Sequence, residues 1–352
     1  MGKYLLVYKN EPWLIGFALS LMIIGVLVLN SIAANLFPVY FLYLAIGLLL
    51  FIVFSQISFS IFTLFSNHIY VLSVLFLLLP LAIGEVTRGA ARWIQLGPVT
   101  IQPTELVRPF LVLFYANLLA SGKITIKKTL LAFLLLIIPI VIILFQPSLG
   151  VAILTFAGFA GVSFSLKYNK KMLLFTSLAF LAASPLFWLI LAPYQKARIL
   201  SLIYPIHDPS GAGYNSIQSM IAVGSGMLTG RGLGKGVQTQ LAFLPERHTD
   251  FIFASIAEEL GLLGAGLLIL LIFLLLYRII IVLENAINPV ARAFAAGVFT
   301  TLLAQVVIHI GMNLGILPIT GQPLPLVSAG GSSLIATMIT LGLLMQAKKN
   351  YY

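Results

Sequence analysis

Apolar runs close to 20 residues long recur along the whole chain, and nothing else in the sequence constrains its fold as much. The first occupies about Ile15 to Leu29, and others follow at short intervals. About 20 residues of α-helix cross the roughly 30 Å hydrocarbon core of a bilayer, where every backbone polar group must be satisfied internally. Ten spans give the most economical partition, at about 13–31, 37–57, 69–84, 105–121, 129–145, 149–166, 172–193, 251–276, 293–313 and 330–346. The fifth and sixth meet at Gln146-Pro147 in a tight helical hairpin. The expected fold is therefore an all-α, polytopic membrane bundle forming a single domain over residues 1–352. One long non-spanning stretch, about 194–249, separates spans seven and eight. Because so many spans follow the first, it is not read as a cleaved signal peptide.

Composition agrees: 61% of residues are hydrophobic and only 8% charged, against about 25% charged in soluble domains. There is no cysteine, which excludes disulfides, thiolate catalysis and Cys-ligated metals. The four histidines are far apart and form no HxxxH pair. The formal charge of +11 raises nucleic acid as a partner. The basic residues lie in short connections beside spans, however, so cytoplasmic anchoring explains most of them and no nucleic acid is expected.

With an even number of spans both termini share one side. That side carries Lys3, Lys9, Lys123, Lys127, Lys128, Lys167, Lys170, Lys171, Arg278, Arg292, Lys348 and Lys349, so it is expected to be cytoplasmic. The other side also holds cations: Arg88, Arg92, Arg108, Lys196, Arg198, Arg231, Lys235 and Arg247. With them are Glu85, Glu105, Asp208, Glu246, Asp250, Glu258 and Glu259, seven of the nine acids. Topology alone would not gather cations beside carboxylates on the outer face, so this mixed cluster is a candidate site for a polar or anionic substrate.

Five segments carry that chemistry. Gly224 to Gly236 has six glycines in thirteen residues, with Arg231 and Lys235; exposed N–H groups and cations suit phosphate oxygens, although GK[ST] is absent and a flexible loop is the plain alternative. Leu244 to Asp250 leads into span eight, where Asp250 reads as an N-cap or, more sharply, as a general base. Glu258 and Glu259 lie about 12–13 Å deeper along the helix, a costly place unless they line a polar cavity or meet a cation. In Glu85 to Thr104, Thr104 reads as an N-cap, and Glu105 and Arg108 share a helical face as a salt bridge or a substrate clamp. Gly321 to Ser333 is irregular backbone expected to wall a cavity. His309 reads as a helix–helix hydrogen-bonding residue.

In this order, Gln102-Pro103-Thr104-Glu105, Asp208 to Tyr214 with Ile217-Gln218-Ser219, Thr229 to Gly236, Leu244 to Phe253 with Ala257-Glu258-Glu259, and Leu324 to Ser333 resemble the SEDS family of bacterial cell-wall proteins. Pro323 and Gly236-Val237-Gln238 look more like the family's elongation member than its division member. The resemblance implies a peptidoglycan glycosyltransferase of the bacterial cytoplasmic membrane. It would polymerise lipid II on the outer side, beside a class B penicillin-binding protein and other elongation-complex membrane proteins. Asp250 stands at the family's essential carboxylate, and Glu105 belongs to the same cavity. Three departures stand out: Thr104 and Arg108 replace the usual Ser and Lys, Ser148 stands where Asp is common, and Ala329 stands where an aromatic is usual.

The candidate catalytic residues are thus Asp250 and Glu105. The candidate substrate-binding residues are Arg88, Arg92, Trp93, Arg108, Gln218, Arg231, Lys235, Glu246, His248, Thr249, Glu258, Ser328 and Ser332. No covalently bound cofactor is expected, and a divalent cation, Mg or Mn, is the metal such diphosphate chemistry would recruit. The rival readings are a lipid II flippase, which needs polar groups through to the cytoplasmic side, and a non-catalytic scaffold for the penicillin-binding protein.

Overall fold

A computed structural model describes residues 11–83, 85–87, 90–166, 195–196, 198, 200, 202 and 212–348. Over these residues the chain is a helical bundle. Its helices are α1 (Pro12–Ile32), α2 (Phe37–Phe54), α3 (Ser66–Ile83), α4 (Arg108–Ala120), α5 (Ile126–Phe145), α6 (Leu149–Phe164), α7 (Ala212–Ser225), α8 (Ile252–Asn285), α9 (Pro289–Asn313) and α10 (Gly331–Ala347), with shorter turns between. α1, α3, α5, α8, α9 and the stretch Ala34–Phe54 containing α2 are long and apolar enough to cross a membrane, while α6 and α10 are shorter apolar helices. These helices make it a multi-pass membrane protein. Nine of the ten expected spans fall on helices among the described residues; the remaining one, the seventh at 172–193, lies outside them, as do Arg88 and Asp208.

Local chemistry sets several helix starts. Pro12 and Pro289 occupy first-turn positions, where a missing N–H costs nothing. Thr125 caps α5 by accepting from the Lys128 N–H, and Asn288 caps α9 by accepting from the Val290 N–H at 2.9 Å. Between helices, small residues let backbones close. A Cβ on Gly161 of α6 would fall 1.9 Å from Thr300 Oγ1 of α9, and one on Gly158 would fall 2.7 Å from Thr301 Oγ1. Such contacts drive helix association where lipid removes the hydrophobic incentive. α10 packs chiefly on α2, α9 on α6, and α8 on α9 and α1.

Two features depart from the sequence reading. Residues 85–101, read as loop, form a three-stranded antiparallel sheet, β1 (Glu85–Thr87), β2 (Ala90–Leu96) and β3 (Val99–Ile101). The sheet is tied to α2 by Tyr43, whose hydroxyl accepts from the Thr100 N–H at 2.7 Å and donates to the Thr100 carbonyl at 2.8 Å. Second, α8 is broken at Gly261, where φ is 67° and ψ is −166°.

The ends of the bundle differ in chemistry. At one, Glu11 is fully buried between Arg278, whose Nε donates to Oε2 at 2.9 Å, and Lys348. Arg278 and Lys348 were expected to share a side of the membrane, and they do meet, around Glu11. At the other end lie Asp250, the small sheet and the irregular segment 314–330.

Candidate functional site

Asp250 sits at the mouth of α8 in a turn fastened from outside. The Ser328 Oγ donates to the Thr249 carbonyl at 2.8 Å and accepts from the Leu324 N–H at 2.8 Å. The Ala329 N–H donates to the His248 carbonyl at 2.9 Å. Glu246 accepts from the Thr249 hydroxyl at 3.0 Å and lies 4.0 Å from His248 Nε2. Gly321 backs the Asp250 carboxylate so closely that a Cβ there would stand 3.3 Å from Oδ2.

The expected N-cap role of Asp250 needs correction. Phe251 is the N-cap residue and makes no side-chain cap bond. The Ala254 N–H is satisfied from another helix, by Asn313 Oδ1 at 3.0 Å, while Asn313 Nδ2 donates to the Asp250 carbonyl at 3.0 Å. Sequence reasoning missed Asn313. The available signal was an amide side chain at the end of the ninth apolar span.

Glu105 and Arg108 form the buried salt bridge, at 2.9 Å. Arg108 also donates to Gln305 Oε1 at 3.1 Å. Gln305 Nε2 reaches the Pro323 carbonyl at 2.8 Å and Ser333 Oγ at 3.2 Å. Across the Pro323–Leu324 peptide this chain continues through Ser328 to Thr249, so the Glu105 pair and the Asp250 turn share one frame. Thr104 is not the N-cap: Gln102 holds that position, with Pro103 opening a short turn. The Gln102 N–H donates to Ser332 Oγ at 2.8 Å. Ser328 and Ser332, read from sequence as substrate-binding, are both buried and bonded to backbone, which makes them braces of the site. His309 bonds across to the Gln322 carbonyl through Nδ1 at 2.7 Å.

The glycine-rich segment is not a loose loop: it is anchored along α8. At the Gly261 break, the Glu258 and Glu259 carbonyls accept from the N–H groups of Arg231 and Gly232, at 2.9 and 3.0 Å. The Leu262 and Leu263 N–H groups turn to the Met227 and Leu228 carbonyls, at 2.8 and 3.1 Å. The loop thus takes over helical bonds that the break interrupts. Gly230, with φ of +80°, lies so near that a Cβ would be 2.2 Å from the Glu259 carbonyl oxygen, so glycine serves close approach here. The two deep carboxylates, both 0% exposed, meet this loop as well. Glu258 accepts from the Gln238 and Thr239 N–H groups at 2.9 and 3.0 Å. Glu259 accepts from Ser31 Oγ at 2.6 Å, the Gly234 N–H at 3.2 Å and Gln240 Nε2 at 3.0 Å. Neutral donors, rather than a cation or an open cavity, compensate their burial. Glu258, read from sequence as substrate-binding, is thereby committed to holding the loop.

That anchoring leaves Arg231 and Lys235 exposed, with Arg231 Nε donating to Ser225 Oγ at 3.2 Å. Arg92 and Trp93 are half-buried on β2, where Trp93 pairs in register with Glu85. Gln218 is half-buried on α7, beside Ser219, whose hydroxyl donates to the Asn313 carbonyl at 2.8 Å. Among the described residues no three His, Asp or Glu side chains gather as a metal cage.

Comparison with known proteins agrees with the motifs. The sequence model of the FtsW/RodA/SpoVE family, described as cell cycle protein, matches residues 13–352. The peptidoglycan glycosyltransferase MrdB of Escherichia coli K12 is 38% identical over 305 residues, 86% of this chain and 82% of that protein. The probable peptidoglycan glycosyltransferase FtsW of Coxiella burnetii is 34% identical over 365 residues, 98% of this chain and 97% of that one. Among solved structures, a chain from a peptidoglycan synthase complex that coordinates polymerization and crosslinking superposes with a TM-score of 0.82 at 32% identity, covering 95% of this chain and 96% of that chain. The rod shape determining protein RodA of Thermus thermophilus gives 0.72 at 28% identity, covering 95% of each chain. On sequence, fold and the matched length, the chain belongs to the FtsW/RodA/SpoVE family, the SEDS proteins.

Proposed function

We propose that this chain is a peptidoglycan glycosyltransferase of the elongation type, polymerising lipid II beside a class B penicillin-binding protein. In this reading the Asp250 end faces outward from the bacterial cytoplasmic membrane, and the end with Glu11, Arg278 and Lys348 faces the cytoplasm, as the distribution of lysines in short connections supports. The observation that carries the proposal is Asp250 itself. It is a half-buried carboxylate on a turn whose carbonyls are held by Ser328, Ala329 and Asn313, and it is backed by a glycine.

The chemistry follows from such a group. An acceptor sugar hydroxyl attacks the donor's anomeric carbon with inversion; the C–O bond to the diphosphate breaks as the new glycosidic bond forms. Asp250 takes the hydroxyl proton. Exposed Arg231 and Lys235 serve as the clamp for the departing diphosphate. Arg108, buried against Glu105 and Gln305, is assigned to the frame rather than to the clamp. A divalent cation, Mg or Mn, enters this reading only through the diphosphate oxygens, and no step depends on it. Both lipid tails remain in the bilayer while the polar heads meet at its surface.

The test is purified chain with its transpeptidase partner and lipid II, read by gel separation of glycan products. Asp250→Asn is expected to abolish polymer while leaving yield and thermal midpoint unchanged. Polymer made at the normal rate by that variant would remove Asp250 from the base role.

A further inference from the structure

We propose that Asn313 is a positioning residue for polymerisation: its side chain is a wedge that keeps Asp250 out of α8. The inference rests on the reading of Asp250 as the base. In an α-helix the N–H of residue i bonds the carbonyl of residue i−4, so Ala254 N–H and Asp250 C=O are natural partners. Here they are not joined. Asn313, the last residue of α9 and fully buried, stands between them, accepting from the Ala254 N–H at 3.0 Å and donating to the Asp250 carbonyl at 3.0 Å. One amide thus substitutes for one helical bond, and regular bonding begins a residue later, with the Ser255 N–H on the Phe251 carbonyl at 3.0 Å.

The wedge has one orientation. Asn313 Nδ2 also donates to the His309 carbonyl at 2.7 Å, so a flipped amide would set oxygen against two carbonyls and N–H against N–H. Its backbone is held too, because Ser219 Oγ of α7 donates to the Asn313 carbonyl at 2.8 Å. Without the amide, Ala254 N–H and Asp250 C=O would close on each other and extend α8 back toward Asp250. At 3.6 residues per turn this redirects the side chain by a large angle, away from Gly321, which now backs its carboxylate.

The test compares the unaltered chain with Asn313→Ala, Asn313→Asp, Ser219→Ala and Asp250→Asn, each with the partner transpeptidase, over a lipid II titration. Asn313→Ala removes the wedge. Asn313→Asp keeps an acceptor for Ala254 and loses the donor to Asp250. Both are expected to lower kcat by about 100-fold, the scale set by small misplacements of a reacting group. KM should stay within about threefold, because the diphosphate clamp is untouched. Ser219→Ala, which loosens the Asn313 backbone but keeps its amide, should lower kcat by less than either Asn313 variant does. If Asp250→Asn is inactive but Asn313→Ala keeps its kcat, the wedge is overturned and the base reading stands. If Asp250→Asn is active, the base reading itself falls. A loss in the Asn313 variants that appears in KM, or failure of both to fold, would make Asn313 a binding or fold residue and equally overturn the proposal.

Discussion

Replacing Gly261 by alanine should undo the splice between α8 and the loop before it. The backbone there has φ of 67° and ψ of −166°, a region essentially reserved for glycine. A Cβ would also stand 2.2 Å from the Gly230 N and 2.6 Å from the Leu228 carbonyl oxygen. Both contacts are with backbone, which cannot rotate away as a side chain would. The conformational strain is about 1–3 kcal/mol. Relieving the clash must open some of the four crossed bonds joining Arg231, Gly232, Leu262 and Leu263 to their partners. Losing two of them at about 1 kcal/mol each brings the total to about 3–5 kcal/mol, among the largest effects of single substitutions. The assay is thermal unfolding of the purified protein together with hydrogen exchange at those four amides. Gly266→Ala is the control, since that glycine lies in the same helix and nothing approaches its Cβ position within 4 Å; its midpoint should hold or rise. Gly261→Ala should lose both midpoint and protection, and polymerisation should fall with them because Arg231 and Lys235 ride on the released loop. Unchanged protection at Leu262 and Leu263 would refute the splice.

Glu258→Gln should destabilise by about 1–3 kcal/mol, because its new NH2 opposes the Gln238 or Thr239 N–H; the thermal midpoint reads this, and a midpoint equal to the parent's would contradict the anchoring role. Glu105→Gln leaves Arg108 buried without its counter-charge and should cost about 3–5 kcal/mol, whereas Arg108→Lys, which keeps the charge, should retain polymerisation within about tenfold in the glycan gel assay. The chain has no cysteine, so single substitutions report topology directly: Lys235→Cys should react with an impermeant maleimide on intact cells and Glu284→Cys should not, and the reverse pattern would invert the proposed orientation.

The spans were legible because length and hydropathy answer one question, whether a segment can cross hydrocarbon, and each segment answers it alone. What escaped depends on partners distant in sequence. Gly261 lies inside an apolar run and reads as a tolerated helical glycine until the 226–232 segment is seen taking its bonds. Glu258 and Glu259 were legible as a cost needing compensation, but the donors turned out to be loop N–H groups, which every sequence contains and none advertises. Thr104 failed as a cap because Pro103 claims the first helical position and pushes the cap back to Gln102. The short sheet at 85–101 carries no clean alternation, and its β3 is held by a tyrosine from α2.

Asp250 shows why local reading stops where it does. An aspartate before a helix is a good N-cap on propensity, and a capping carboxylate is committed to backbone N–H groups. Here the Ala254 N–H takes its acceptor from α9 instead, and the frame from Arg108 through Gln305, Pro323, Leu324 and Ser328 holds the next residue back, Thr249, in place. The main chain at the acid is thus held by bonds from other elements. A general base needs such bracing, because a carboxylate on an unbraced turn is rarely in reach of the proton it takes.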